Sequence, residues 1–204
     1  MKLDFSSILA AGEKASLERS PAAVLTAANQ LTMLRIVFVP VFIILLVYGD
    51  RGWALATFTA AGISDVLDGI IARRYGQKTS VGAALDPIAD KLLMTASVVI
   101  LSFPQTGFPN LIPRWLMIIM ISRDTFIMLV TLSLALMSGF RIFPPSPYGK
   151  ASTVLQVATV FAVLYCNWRG TQVGELDILF YMTGFMTAFS GLHYLATKFL
   201  VRDE

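Results

Sequence analysis

Four aspartates, at positions 65, 68, 86 and 90, lie within the stretch SDVLDGIIARRYGQKTSVGAALDPIADK, which runs from Ser64 to Lys91. Carboxylates are hard oxygen donors that suit Mg²⁺ or Mn²⁺. On helices, Asp65 and Asp68 stand at i, i+3 and Asp86 and Asp90 at i, i+4, so each pair shares one helix face. Two antiparallel neighbours would bring all four together. Without a cation, four like charges would repel and retain protons. Two divalent ions shared by the set would remove that conflict. Gly69 follows Asp68, and Gly82 lies one turn before Asp86. Glycine there lets a ligand or a second helix approach the backbone closely. Arg73 can face a phosphate.

The flanking sequence decides what must position these acids. The chain has 204 residues, 56% hydrophobic and 14% charged, with mean hydropathy +0.70. Soluble domains average about 25% charged residues. This composition predicts an all-α integral membrane protein and gives no basis for nucleic-acid binding. A spanning helix needs roughly 20 apolar residues, and such stretches fall at 31–48, 53–71, 81–103, 115–138, 151–168 and 178–200. Six membrane helices therefore form one domain over 29–204, preceded by a segment, 1–28, that mixes charges with Leu3, Phe5, Ile8 and Leu9 and reads as an interfacial helix. With the N-terminus inside, most of the 16 Lys and Arg residues fall in inside loops and tails. Only Arg51, Arg114 and Arg169 fall outside, and Arg35, Lys91 and Arg123 lie within spans. The positive-inside rule then puts both termini in the cytoplasm, in a cell's inner membrane. A charged aspartate at mid-bilayer costs roughly 2.5–3.5 kcal/mol. The expected topology eases this: Asp65 and Asp68 come in the last turns of the second span, Asp86 and Asp90 in the first turns of the third, around an inside loop at 73–80.

The residues Asp65, Asp68, Gly69, Ala72, Arg73, Gly82, Asp86 and Asp90 form the pattern D-x2-D-G-x2-A-R-x8-G-x3-D-x3-D without a mismatch. That pattern, the six apolar stretches and the flanking NQLTMLR resemble the CDP-alcohol phosphatidyltransferase family. The resemblance implies six membrane helices, a homodimer, and a cytoplasm-facing site with two divalent ions. It also implies transfer of a phosphatidyl group from CDP-diacylglycerol to an alcohol, with release of CMP. By the family pattern Asp65, Asp68, Asp86 and Asp90 hold the metals, and Asp90 is also the base for the acceptor hydroxyl. Gly69, Arg73, Thr79 and Gly82 line the CDP-diacylglycerol site, which Asn29 and Thr32 help close.

Plainer readings stand beside these. Asp86-Pro87 has the form of a helix N-cap followed by proline at the first position. Asn29 and Thr32 could cap the first span, Gly69 and Gly82 could be packing positions, and Arg73 could mark a positive loop. The acids could pair with Arg73, Arg74 and Lys91. Intramembrane acids also mark ion transporters, but a transporter has no need of the glycines and Arg73 at these spacings. His193 is solitary and reads as a packed or interfacial residue, and the one cysteine, Cys166, excludes an intrachain disulfide.

For the acceptor, Arg123 in ISRD, Arg141, and Lys150 in YGKASTVLQ are candidate phosphate ligands. These segments resemble the branch holding phosphatidylglycerophosphate synthases and CDP-type cardiolipin synthases. Many glycerophosphate users in that branch carry Glu, Arg and a second Lys where this chain has Asp124, Thr131 and Ser152. Glycerol-3-phosphate is the expected acceptor, with phosphatidylglycerol as the alternative favoured by those missing charges.

Overall fold

The computed structural model describes residues 27–75, 80–104, 107–137 and 146–197. The described residues form six helices: α1 (Ala27–Val47), α2 (Arg51–Tyr75), α3 (Ser80–Leu101), α4 (Arg114–Met137), α5 (Pro147–Arg169) and α6 (Leu176–Leu195). There is no strand among them. The fold is all-α, and each helix overlaps one of the six apolar stretches. At 1.5 Å per residue, helices of 20 to 25 residues are about 30–37 Å long, the thickness of a bilayer core. Taken on length and composition together, one of the described helices, Pro147–Arg169, is apolar enough to cross a membrane. The interfacial helix expected over 1–28 lies, apart from its last two residues, outside the described residues.

Local chemistry sets the helix ends. Ser146 caps α5 by accepting from the Gly149 amide at 3.1 Å, and Pro147 occupies the first turn. Proline has no N–H to satisfy there and arrives with φ preset. Gly170 closes the helix at φ +67°, the left-handed conformation that glycine takes without steric penalty. Gly49 does the same after α1 at φ +80°.

Three sequence expectations about these ends need correction. The first span's helix is already formed at Ala27, so Asn29 and Thr32 lie inside it and do not open it. α2 runs on through Arg73 to Tyr75, because nothing in Ile70–Tyr75 disfavours a helix before Gly76. Arg73 is thus in the last turn of α2 and not in a loop, and Asp68 lies seven residues back from its end, about 10 Å. α3 begins at Ser80, so Asp86 and Pro87 are both interior helical residues and Asp86 is no N-cap. Pro87, lacking an N–H, leaves the Ala83 carbonyl without its helical donor, a break that helices shielded from water tolerate when neighbours re-satisfy the group.

α1 packs on α2 and α3, α5 on α6 and α2, and α4 on α6. A core of Phe42, Leu46, Phe58, Leu101, Leu116 and Leu164 joins the helices. One end of the bundle is latched by polar groups. Asn110 and Asn167 are buried and exchange hydrogen bonds: the Asn110 amide donates to Asn167 Oδ1 at 2.9 Å, and Asn167 Nδ2 to the Asn110 carbonyl at 3.0 Å. Arg51 donates to the Gly107 carbonyl at 3.1 Å and lies over the Phe108 ring. These bonds bring the start of α2 and the end of α5 to one end. The C-terminal end of α2 and the N-terminal end of α3, to which the aspartates are nearer, therefore lie toward the opposite end.

Between α5 and α6 the buried residues include a run of polar ones. Thr159 and Thr183 share a hydrogen bond of 2.6 Å, and Thr187 Oγ1 accepts from Gln156 Nε2 at 3.2 Å and Ser152 Oγ at 3.3 Å. The outward faces carry Phe161, Tyr165, Tyr181, Phe185 and Leu192, all exposed. A protein folding in water reverses this arrangement, whereas helices in lipid associate through small residues and such hydrogen bonds. Gly184 lets α6 approach α4 on its other side. A Cβ there would stand 2.5 Å from Trp115 Cζ3, and Trp115 is stacked on Tyr181. Gly184→Ala should cost about 1–3 kcal/mol by overpacking and lower the Tm in detergent by several degrees. Gly174→Ala, where a Cβ meets nothing within 4 Å, should leave it unchanged. Equal Tm values for the two variants would contradict this packing.

Candidate active site

The helices place the sequence-predicted residues as follows. Asn29 and Thr32 are on α1; Asp65, Asp68, Gly69 and Arg73 on α2; Gly82, Asp86 and Asp90 on α3. Thr79 and Arg141 lie outside the described residues. Both aspartate pairs sit within continuous helix, so their i, i+3 and i, i+4 spacings carry the helical meaning the sequence reading assumed. α2 and α3 both pack on α1, which carries Asn29 and Thr32. No cluster of metal-binding side chains occurs among the described residues, which do not include the aspartate side chains.

The second half of the bundle builds a charged centre. Arg123 on α4 is only 9% exposed. Its Nη1 donates to Asp124 Oδ1 at 2.8 Å, and its Nη2 to Ser190 Oγ on α6 at 2.9 Å and to the Gly149 carbonyl on α5 at 3.5 Å. Gly149 lies close against the guanidinium: a Cβ there would stand 3.3 Å from Nη2 and 3.2 Å from Ser146 Oγ. The other Asp124 oxygen, Oδ2, pairs with Lys91 Nζ on α3. Arg123 Nε is buried and has no hydrogen-bond partner among the described residues. Unpaired buried donors are rare in native proteins, and a charged one calls for an explanation, such as a missing anionic partner.

The structure brings Arg123 to the backbone beside Lys150, whose side chain is exposed at the start of α5. The sequence does not announce Asp124 as the group joining Lys91 to Arg123; only the plainer reading gives Lys91 a partner, among the aspartates of α2 and α3. The only signal was an acid directly after a mid-span arginine. Positions 131 and 152 are neutral contacts: Thr131 Oγ1 bonds the Tyr194 hydroxyl at 3.1 Å, and Ser152 is buried against Thr187. His193 packs against Tyr148, centroids 4.6 Å apart, with Phe189 beyond at 6.3 Å, which accords with a packed histidine.

The family model described as CDP-alcohol phosphatidyltransferase matches residues 25–194, which span all six helices. The chain belongs to the CDP-alcohol phosphatidyltransferase family. Members of this family are membrane-bound. A Drosophila melanogaster relative called probable cardiolipin synthase (CMP-forming) is 34% identical over 192 residues, covering 86% of this chain and 58% of the relative. A Mycobacterium tuberculosis relative called probable phosphatidylglycerophosphate synthase is 36% identical over 139 residues, covering 65% of this chain and 63% of the relative. Against both, the match spans about six-tenths of the relative's length. A Haemophilus influenzae relative called CDP-diacylglycerol--glycerol-3-phosphate 3-phosphatidyltransferase is 33% identical over 170 residues, covering 81% of this chain and 89% of the relative.

Proposed function

We propose that this chain transfers the phosphatidyl group of CDP-diacylglycerol to an alcohol and releases CMP. The observation that supports it most is the family's aspartate pattern lying wholly within α2 and α3. In the reaction the acceptor oxygen attacks the phosphorus that carries the diacylglycerol. The bond from that phosphorus to the bridging oxygen breaks, and CMP leaves with that oxygen. Asp90 takes the hydroxyl proton, the work of a positioned general base. Asn29, Thr32, Gly69, Arg73, Thr79 and Gly82 hold CDP-diacylglycerol, with Arg73 matching its diphosphate. Arg123, Arg141 and Lys150 hold the acceptor's phosphate. The donor set of Asp65, Asp68, Asp86 and Asp90 is all hard oxygen, which fits two Mg²⁺ or Mn²⁺ ions, and such ions would neutralise the diphosphate.

The domain over 29–204 would cross a cell's inner membrane six times, with both termini and the site cytoplasmic, the segment 1–28 at the interface, and two copies paired. The polar seam between α5 and α6 under exposed aromatic faces supports a lipid setting. Glycerol-3-phosphate is the first reading for the acceptor, supported by the Haemophilus relative, which is matched over 89% of its length. A second reading, phosphatidylglycerol, draws on the site itself. Asp124 offsets the charge of Arg123 and Lys91, and positions 131 and 152 carry neutral groups engaged with Tyr194 and Thr187. A centre of low positive charge suits a singly charged phosphodiester better than a phosphate dianion.

An acceptor panel separates the readings. Purified protein with labelled CDP-diacylglycerol should release CMP only when an acceptor is added. Thin-layer chromatography should show phosphatidylglycerophosphate with glycerol-3-phosphate. Cardiolipin from phosphatidylglycerol, with no product from glycerol-3-phosphate, would establish the second reading. No CMP with either would refute both.

A further inference from the structure

Arg123 is held by groups on three helices, α4, α5 and α6, and the charged one among them is the Asp124 carboxylate. Asp124 offers Oδ1 to Arg123 Nη1 and Oδ2 to Lys91 Nζ, with only 14% of its own side chain exposed. Ser190 on α6 and the Gly149 carbonyl on α5 take Nη2. A guanidinium is planar with five N–H donors in fixed directions, so anchoring both terminal nitrogens sets the direction of the fifth, Nε–H. That donor is buried and has no partner among the described residues. Lys91 follows Asp90 directly on α3, so Asp124 also ties the helix bearing the proposed base to the arginine proposed to hold the acceptor.

We infer that Asp124 is a positioning residue for the acceptor: it fixes the Arg123 guanidinium so that Nε–H is left free for an anionic oxygen of the acceptor, and it couples that group through Lys91 to α3. The inference rests on the proposed role of Arg123 in acceptor binding. Neutral Asn in place of Asp124 would keep the shape but lose both charge-assisted bonds and leave Lys91 uncompensated. A residue that merely stabilised the bundle would affect both substrates alike. A positioning residue acts on one.

The test uses the full chain in detergent, with Asp124→Asn, Asp124→Glu, Ser190→Ala, Lys91→Met and the Asp124→Asn/Lys91→Met double variant. Asp124→Asn should raise the acceptor KM about 10–100-fold, the scale of a lost charged hydrogen bond, and leave the KM for CDP-diacylglycerol within about twofold of wild type. Asp124→Glu, which keeps the charge, should recover most of the loss. Ser190→Ala, a neutral change on another anchor, should raise the same KM by less. The double variant should be less impaired than the product of the single effects, because its two losses concern one bond. Equal rises in both KM values, no recovery by Glu, or multiplicative losses in the double variant would overturn the inference. Binding is read separately as the rise in Tm with glycerol-3-phosphate or dioctanoyl phosphatidylglycerol as probe. A wild-type chain that binds a probe but releases no CMP refutes the transferase reading; loss of that binding in Asp124→Asn, kept in Asp124→Glu, would still support the positioning role. A wild-type chain that binds neither probe overturns the role.

Discussion

Chelation with EDTA should abolish CMP release by the purified protein, and excess Mg²⁺ or Mn²⁺ should restore it. The expectation follows from where the cations of this chain are committed. At the proposed site a diphosphate and four carboxylates would place many negative charges together, and something positive must offset them. Among the described side chains, Lys91 pairs with Asp124, and Arg123 is shared by Asp124, Ser190 and Gly149. These two mid-helix cations are engaged with groups on α4, α5 and α6 and would be poor substitutes for ions held by α2 and α3. Metal-assisted charge stabilisation is worth several kcal/mol, and each 1.36 kcal/mol is tenfold in rate. The loss should therefore reach roughly 10³-fold or more. Helical circular dichroism should survive chelation, because the core of Phe42, Leu46, Leu101 and Leu164 and the Asn110–Asn167 latch lie away from the aspartates. Undiminished CMP release in EDTA would exclude metal dependence.

Much of the fold was legible because apolar runs and helices coincide. The stretch 115–138 matches α4 (Arg114–Met137) almost residue for residue. Where charge and glycine interrupt the run, the reading slipped. Hydropathy stops α2 at Ile71, but helix formation depends on backbone propensity, and Ala72, Arg73 and Arg74 are good helix formers. Likewise Asp86-Pro87 has the sequence of a helix start, yet the preceding Ser80–Leu85 already supplies a helix into which it fits. Local capping signals are weaker than the packing of a whole face.

The candidate site divides in the same way. The aspartate pattern is a spacing along two helices, so one chain order suffices to see it. The Lys91–Asp124–Arg123–Ser190 connection spans α3, α4 and α6. No periodicity within a single helix encodes a contact between residues 33 or 67 positions apart. Even so, its members were visible singly: a mid-span arginine is too costly to bury without partners, and Asp124 stands beside it. What the sequence could not say was that Lys91 on α3 would reach Asp124 on α4.

Asp90→Asn should lower kcat by roughly 10²–10⁴-fold, the contribution of a positioned general base. Asparagine matches aspartate in size but cannot accept the proton of the acceptor hydroxyl. It would also be a poorer ligand for a divalent ion, so two losses coincide at one atom. The substitution lies within continuous α3, next to Lys91, whose partner Asp124 is on α4, and it keeps the size of the side chain. The variant should remain folded, with an unchanged Tm in detergent. Two measurements separate the base from the ligand role. Raising Mg²⁺ should recover the part of the loss due to weaker ion binding and leave the part due to the missing base. Asp90→Glu should recover some rate, because it keeps a carboxylate at an altered reach. An Asp90→Asn protein that keeps more than about a tenth of the wild-type rate at saturating Mg²⁺ would show that another group takes the proton.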